Sequence, residues 1–214
     1  MFNAGTCFVW HNGGYCRLPW PSMHCSESLF QKVRQCTLCA SELPLGPRPV
    51  FQAHRDARIL VAGQAPGRIV HRTGVPFDDA SGQRLRQWMG VNREIFYDPR
   101  RVAILPMGLC YPGTGKSGDR PPVRRCATHW REPLLSALGG IKLTIVLGRF
   151  ALQWHVPEFD GNVTDTVRRG TGLKNLVALP HPSPRNNLWL KRNPWFEKTV
   201  VPDLRNRVAA LLNA

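Results

Sequence analysis

Arg58-Ile-Leu-Val-Ala-Gly63-Gln-Ala-Pro-Gly67 decides the fold. Four consecutive apolar residues between Arg58 and a Gly/Pro-rich break have the length and composition of a buried strand. The pattern recurs downstream. Val102–Leu105 runs into Pro106-Met-Gly-Leu-Cys110, Leu143–Leu147 into Gly148-Arg149, and Leu176–Leu179 into His181-Pro-Ser-Pro184. Helical patterns accompany these strands. They are Leu29–Cys39, Ser81–Met89 with Leu85, Trp88 and Met89 on one face, Phe150–His155, and Pro194–Leu212 in two pieces broken at Pro202. Strands alternating with helices imply a parallel sheet covered on both faces. The expected fold class is therefore α/β: a single three-layer domain with a central, mostly parallel four-stranded sheet flanked by helices. Ligands of such sheets bind outside the carboxyl ends of the strands, and three of the four ends here carry unusual polar or Pro/Gly-rich sequence.

Outward from that centre the chain is less patterned. Residues 1–28 show no periodicity and are expected to form a flexible leader, with the α/β domain occupying 29–214. The 214 residues suffice for one such domain, and 43% hydrophobic residues is ordinary for a globular protein. No stretch approaches the roughly 18 apolar residues of a membrane span. Met1–Cys25 lacks a basic start followed by an apolar run, so no secretory signal is expected, and the chain reads as a cytoplasmic monomer with no membrane partner.

Lys and Arg number 29 against 14 Asp and Glu, a net charge of +15. Such a surplus favours a polyanionic partner, because phosphate contacts release condensed counterions. Seven cysteines is a high count for that compartment, where spaced cysteines serve as metal ligands or catalytic thiols more often than as disulfides. Cys7, Cys16 and Cys25 lie in the leader, whereas Cys36, Cys39, Cys110 and Cys126 lie in the body. Four thiolates gathered by a fold suit a [4Fe–4S] cluster and equally suit a structural zinc.

Gly63-Gln-Ala-Pro-Gly67, Gly74-Val-Pro-Phe77 and His181-Pro-Ser-Pro184 are each weak alone, but together they resemble the two-motif signature of the uracil-DNA glycosylase superfamily. The resemblance covers roughly residues 29–212 and is strongest to the iron–sulfur-containing family 4 type, where Gly-Glu-Ala-Pro-Gly is followed at the same spacing by Gly-x-Pro-Phe. Cys36-x-x-Cys39, a long gap, then Cys110 and Cys126 is similar to that family's cluster-ligand pattern. The resemblance implies a structural [4Fe–4S] cluster on these four residues, with zinc the lesser alternative. It implies DNA containing uracil or another deaminated base as partner, and hydrolysis of the N-glycosidic bond after base flipping.

It also assigns roles. His181 is implied as the donor to the leaving base, with Gly63, Gln64 and Ala65 at the base edge and Phe77 stacked on the flipped ring. Ser183, Arg185, Lys191 and Arg192 are implied at phosphates, and Leu188 and Trp189, with Leu190, as the wedge entering the duplex. Several positions depart from the family. Gln64 stands for Glu, Val70 and His71 for an acidic pair, and Ala65 for the Asp of family 1 enzymes, so the first motif holds no carboxylate to orient water. Asp78 and Asp79 are the nearest substitutes, with capping of the Ser81 helix as their alternative role. Pro106 replaces a uracil-reading Asn, which widens the expected substrates to xanthine and hypoxanthine, and His71 is a further candidate at the base. The competing function is a damaged-base or abasic-site binding protein with little catalysis. An iron–sulfur or zinc structural module does not explain the two motifs. Gly113-Thr-Gly-Lys-Ser117 lacks the first glycine of a phosphate loop and reads as a mobile basic loop near DNA.

Overall fold

The computed structural model describes residues 6–11, 14–19, 23–116 and 118–213. Strands β3 (Ile59–Ala62), β4 (Val102–Ile104), β7 (Leu143–Leu147) and β8 (Leu176–Leu179) form the central sheet in the order β4-β3-β7-β8, and all three pairings are parallel. Within the expected leader, β1 (Thr6–His11) and β2 (Gly14–Pro19) form an antiparallel pair. A further small antiparallel pair, β5 (Thr114–Gly115) with β6 (Gly118–Asp119), stands where a mobile basic loop was expected; Ser117 lies outside the described residues.

The helices are α1 (Met23–Arg34), α2 (Arg68–Thr73), α3 (Ala80–Met89), α4 (Arg93–Tyr97), α5 (Arg124–Ala137), α6 (Gly148–His155), α7 (Val163–Arg169), α8 (Asn187–Arg192) and α9 (Val201–Leu212). A one-turn π-helical segment, Phe196–Val200, leads into α9. Helix α1 begins at Met23 and ends at Arg34, so Cys36 and Cys39 sit in the turn beyond it rather than on it. That turn is closed by bonds from the Cys36 amide to the Val33 carbonyl (3.1 Å) and from the Ala40 amide to Thr37 (3.0 Å).

Alternating strand residues feed two cores. Ile59, Val61 and Ile104 pack with Leu85, Trp88 and Met89 of α3 and with Phe196, Leu204 and Val208. Leu60, Ala103 and Leu105 pack with Phe30 and Val33 of α1 and with Trp130 and Leu134 of α5. The sheet is thus sandwiched between helices. From β3 the chain passes to β4 on one side and later to β7 on the other. The crevice outside the β3 and β7 carboxyl ends is therefore the switch point at which an open α/β sheet binds its ligand. Among the described residues no helix is long and apolar enough to cross a membrane.

Candidate active site

A cavity of about 510 Å³ opens on that side of the sheet, outside the carboxyl ends of β3, β4 and β8, within the range of a small-molecule site. Its floor is Gly63, Gln64, Ala65 and Pro66 from the end of β3, with Ile104 and Pro106 from the end of β4. Amides of the β4 extension secure this floor: Met107 donates to the Gly63 carbonyl and Gly108 to that of Gln64, each at 2.9 Å. Phe77 and Asp79 form one wall, and His181, Ser183 and Arg185 another.

Phe77 is held in an unusual conformation. Its φ of 55° is the one positive value at a non-glycine among the described residues, a strained state for an aromatic residue. Three contacts impose it. The Tyr97 hydroxyl donates to the Phe77 carbonyl at 3.2 Å, and the ring meets Phe96 edge-on at 6.3 Å. The same carbonyl presses against Gly82 of α3 so closely that any Cβ there would collide with it. At Gly63 a Cβ would come within 3.3 Å of the ring tip, so the first motif's glycine lets the aromatic wall approach the strand end.

His181 is half-buried, and its Nδ1 accepts from the Ser183 amide at 3.3 Å. Burial lowers its pKa, opposed by Asp79 and aided by Arg185, so the ring is neutral. A neutral imidazole that accepts at Nδ1 carries its proton on Nε2, leaving that nitrogen as the donor. The second-motif loop is fixed from outside. Asn186 Nδ2 donates to the His181 carbonyl at 2.7 Å, and Arg84 of α3 donates to the carbonyls of Pro182 (3.3 Å) and Ser183 (3.0 Å) and to Asn187 Oδ1 (2.7 Å). Arg84 had no motif to mark it in the sequence.

The other expected residues divide. Asp79 reaches the cavity while its Oδ1 caps α3 through the Gly82 amide (2.9 Å). Asp78 lies outside the cavity lining, where its Oδ1 pairs with Arg93 at 2.9 Å. His71 also lies outside it, on α2, with its ring 5.9 Å from that of Tyr111 and its Nδ1 buried without a hydrogen-bond partner among the described residues. Leu188 is 57% exposed on α8, next to the second motif. Trp189 does not project as a wedge: its Nε1 donates to Thr164 Oγ1 at 2.8 Å and its ring packs on Trp195 and Phe196. Leu190 likewise packs against the core, whereas Lys191 and Arg192 are exposed at the end of α8. One lining carboxylate escaped the sequence reading: Asp119, at the end of β6.

Cys36, Cys39, Cys110 and Cys126 line a separate, mostly apolar cavity between the turn after α1, the loop after β4 and the first turn of α5. Donors point at the sulfurs: Trp130 Nε1 at 3.1 Å and the Leu38 amide at 3.5 Å from Cys36 Sγ, and the Leu109 amide at 3.3 Å from Cys126 Sγ. Burial pushes the Cys110 thiol up to about 11 and that of Cys126 to about 12, with the neighbouring cysteines acting in the same direction. Among the described residues no three His, Cys, Asp or Glu side chains stand close enough together to hold a single metal ion.

The family model described as the uracil DNA glycosylase superfamily matches residues 50–205. The chain is 27% identical over 189 residues to the type-4 uracil-DNA glycosylase of Thermotoga maritima, covering 83% of this chain and 90% of that protein. It is 25% identical over 176 residues to the type-4 uracil-DNA glycosylase of Archaeoglobus fulgidus, covering 75% and 83%. The matched span contains both motif loops, Phe77 and the whole central sheet, and on that span the chain belongs to the uracil-DNA glycosylase superfamily.

Proposed function

We propose that this protein hydrolyses the N-glycosidic bond of uracil, or of a related deaminated base, in DNA after flipping that base into the 510 Å³ cavity. The carrying observation is the convergence of Gly63-Gln64-Ala65, Phe77 and a neutral His181 on one cavity outside the carboxyl ends of the sheet. With uracil, cleavage leaves the electron pair of the C1′–N1 bond on the base, with charge at its O2. A neutral imidazole N–H aimed there stabilises that anion without first losing a proton. Removing one such donor typically costs about 10²–10³ in rate.

Phe77 supplies the stacking surface, and its strained backbone fixes the ring before the base arrives. Pro106 offers no side-chain donor, so the Gln64 carboxamide, which lines the same floor, takes over the pairing of donor and acceptor at the base edge. Gln64 Nε2 donates to the Arg120 carbonyl at 3.5 Å, a long bond that a base edge can replace, which suits xanthine and hypoxanthine beside uracil. Ser183 and Arg185 at the cavity and Lys191 and Arg192 on α8 bind phosphates, while Leu188 alone serves as the wedge. The protein acts as a cytoplasmic monomer.

The four cysteines fit a [4Fe–4S] cluster better than zinc. All four cysteines line one apolar cavity, and their spacing is similar to the cluster-ligand pattern of family 4 rather than to the paired spacing of a zinc site. The N–H groups that donate to Cys36 and Cys126 would stabilise those sulfurs as thiolate ligands. When bound, the cluster would supply a structural tie between α1, the Cys110 loop and α5.

The test is single-turnover cleavage of single- and double-stranded oligonucleotides carrying one uracil, xanthine or hypoxanthine, by wild type and His181→Ala. An alkali-labile product that falls roughly 100-fold in the variant is expected. Tight binding without cleavage of any substrate would instead make this a damage-binding protein.

A further inference from the structure

The first motif's missing carboxylate has a replacement from outside the motifs. Asp119 closes the β5–β6 hairpin and lines the cavity, with its Oδ2 3.5 Å from where a Cβ on Gly67 would stand. The carboxylate therefore lies over the last residue of Gly63-Gln-Ala-Pro-Gly67, and the bareness of Gly67 gives it room.

The hairpin is positioned for this. The Tyr111 hydroxyl bonds Thr114 Oγ1 at 2.6 Å, the Arg120 amide donates to the Gly113 carbonyl at 2.8 Å, and Thr114 pairs across the ladder with Asp119. Gly118, at φ 135°, admits the Arg185 guanidinium directly against its Cα, where any side chain would collide. Arg185 of the second-motif loop thus braces the hairpin. The competing carboxylates are engaged: Asp78 with Arg93, and Asp79 with the amino end of α3.

We propose that Asp119 positions and deprotonates the attacking water. The assignment rests on the glycosylase reading above. As the C1′–N1 bond breaks, its electron pair leaves with the base. The water oxygen then bonds to C1′, Asp119 accepts the water's proton, and the products are the free base and an abasic site. Partial desolvation raises the pKa of the Asp119 carboxyl, with Asp79 adding and Arg185 opposing; this strengthens it as a base.

The experiment compares wild type, Asp119→Asn, Asp119→Ala and Asp79→Asn in single-turnover cleavage of a uracil oligonucleotide. Affinity for an uncleavable uracil analogue in the same sequence and the melting temperature are measured alongside. Asp119→Asn is expected to lose roughly 100-fold in rate, the range of general-base catalysis, with affinity and melting unchanged. Sodium formate, against chloride at equal ionic strength, is expected to restore part of the Asp119→Ala rate. A loss below about tenfold in both Asp119 variants, or a loss that formate cannot rescue, overturns the assignment while wild-type cleavage leaves the function standing. A greater loss in Asp79→Asn than in Asp119→Asn overturns it in favour of Asp79. A wild type that binds but cleaves nothing removes the reading and this assignment together.

Discussion

Which nitrogen of a buried histidine carries the proton is decided by the partner of the other, and two histidines here show it. His181 accepts from the Ser183 amide and so donates through Nε2, whereas His155 Nε2 faces the buried Arg131 guanidinium at 2.6 Å. Arginine always donates, so His155 must accept and stay neutral. Burial first, and then the Arg131 cation, push its pKa down to about 3. Unfolded, the group titrates near 6.5, so between these values the unfolded chain binds more protons and stability rises with pH. The contribution is complete above about pH 6.5 and is lost as pH falls toward the folded value, at no more than about 1.4 kcal/mol per pH unit. His155→Gln keeps an acceptor that does not titrate. Urea midpoints across this acidic range should fall less steeply in that variant, though His71 and His181, lowered in the same direction, retain some slope. Equal slopes in both proteins would show that His155 is not responsible. At this scale His181, Gln64 and Phe77 were legible because their neighbours in sequence are their neighbours in space. Asp119 and Arg84 were not, because each acts across a contact between elements that no local pattern records.

Helix α3 shows how one element organises the site from behind. Asp79 caps it, Gly82 receives the Phe77 carbonyl, and Arg84 reaches the second-motif loop. These three residues lie within six positions of one another, so the helix couples the aromatic wall to the His181 wall. Gly82→Ala, an ordinary gain for an isolated helix, should here cost about 1–3 kcal/mol, because the added methyl must displace the Phe77 carbonyl. Thermal unfolding and base excision should decline together; an unchanged melting temperature would mean that the loop can shift freely. Arg84→Met removes three hydrogen bonds while keeping the stem. It should lower the single-turnover rate at least about tenfold, with substrate affinity altered much less. A rise in Kd at constant rate would assign Arg84 to binding instead. The helix itself was legible from Leu85, Trp88 and Met89 and from its acidic cap. Helix α5 was not, since Pro133 sits inside it where proline usually signals an end. Its place is fixed by Trp130 and Leu134 in the second core and by Cys126 at the thiol cavity, which are tertiary causes.

Over the whole molecule, a charge of +15 favours a polyanionic partner but does not say where it would lie. Cations stand at both poles of the sheet. Arg55, Arg58, Arg100 and Lys142 line a cleft at the amino ends of the strands, whereas Arg185 lines the cavity at the carboxyl ends and Lys191 and Arg192 end the α8 helix that follows it. Counterion release separates the two sets, because only cations that meet phosphates contribute to the salt dependence of binding. Each such contact adds about −0.7 to −0.9 to the slope of log K against log salt, for single and double strands respectively. If DNA follows the cavity and α8, Lys191→Ala with Arg192→Ala should flatten the slope by roughly 1.4 to 1.8. Arg58→Ala with Lys142→Ala should leave it unchanged, although each pair removes the same net charge. Fluorescence anisotropy with an abasic oligonucleotide at several salt concentrations measures both. Equal flattening by the two pairs would mean that the strand wraps around the sheet. Flattening by the Arg58 and Lys142 pair alone would move the DNA to the opposite pole, away from His181, and would contradict the glycosylase reading at its largest scale.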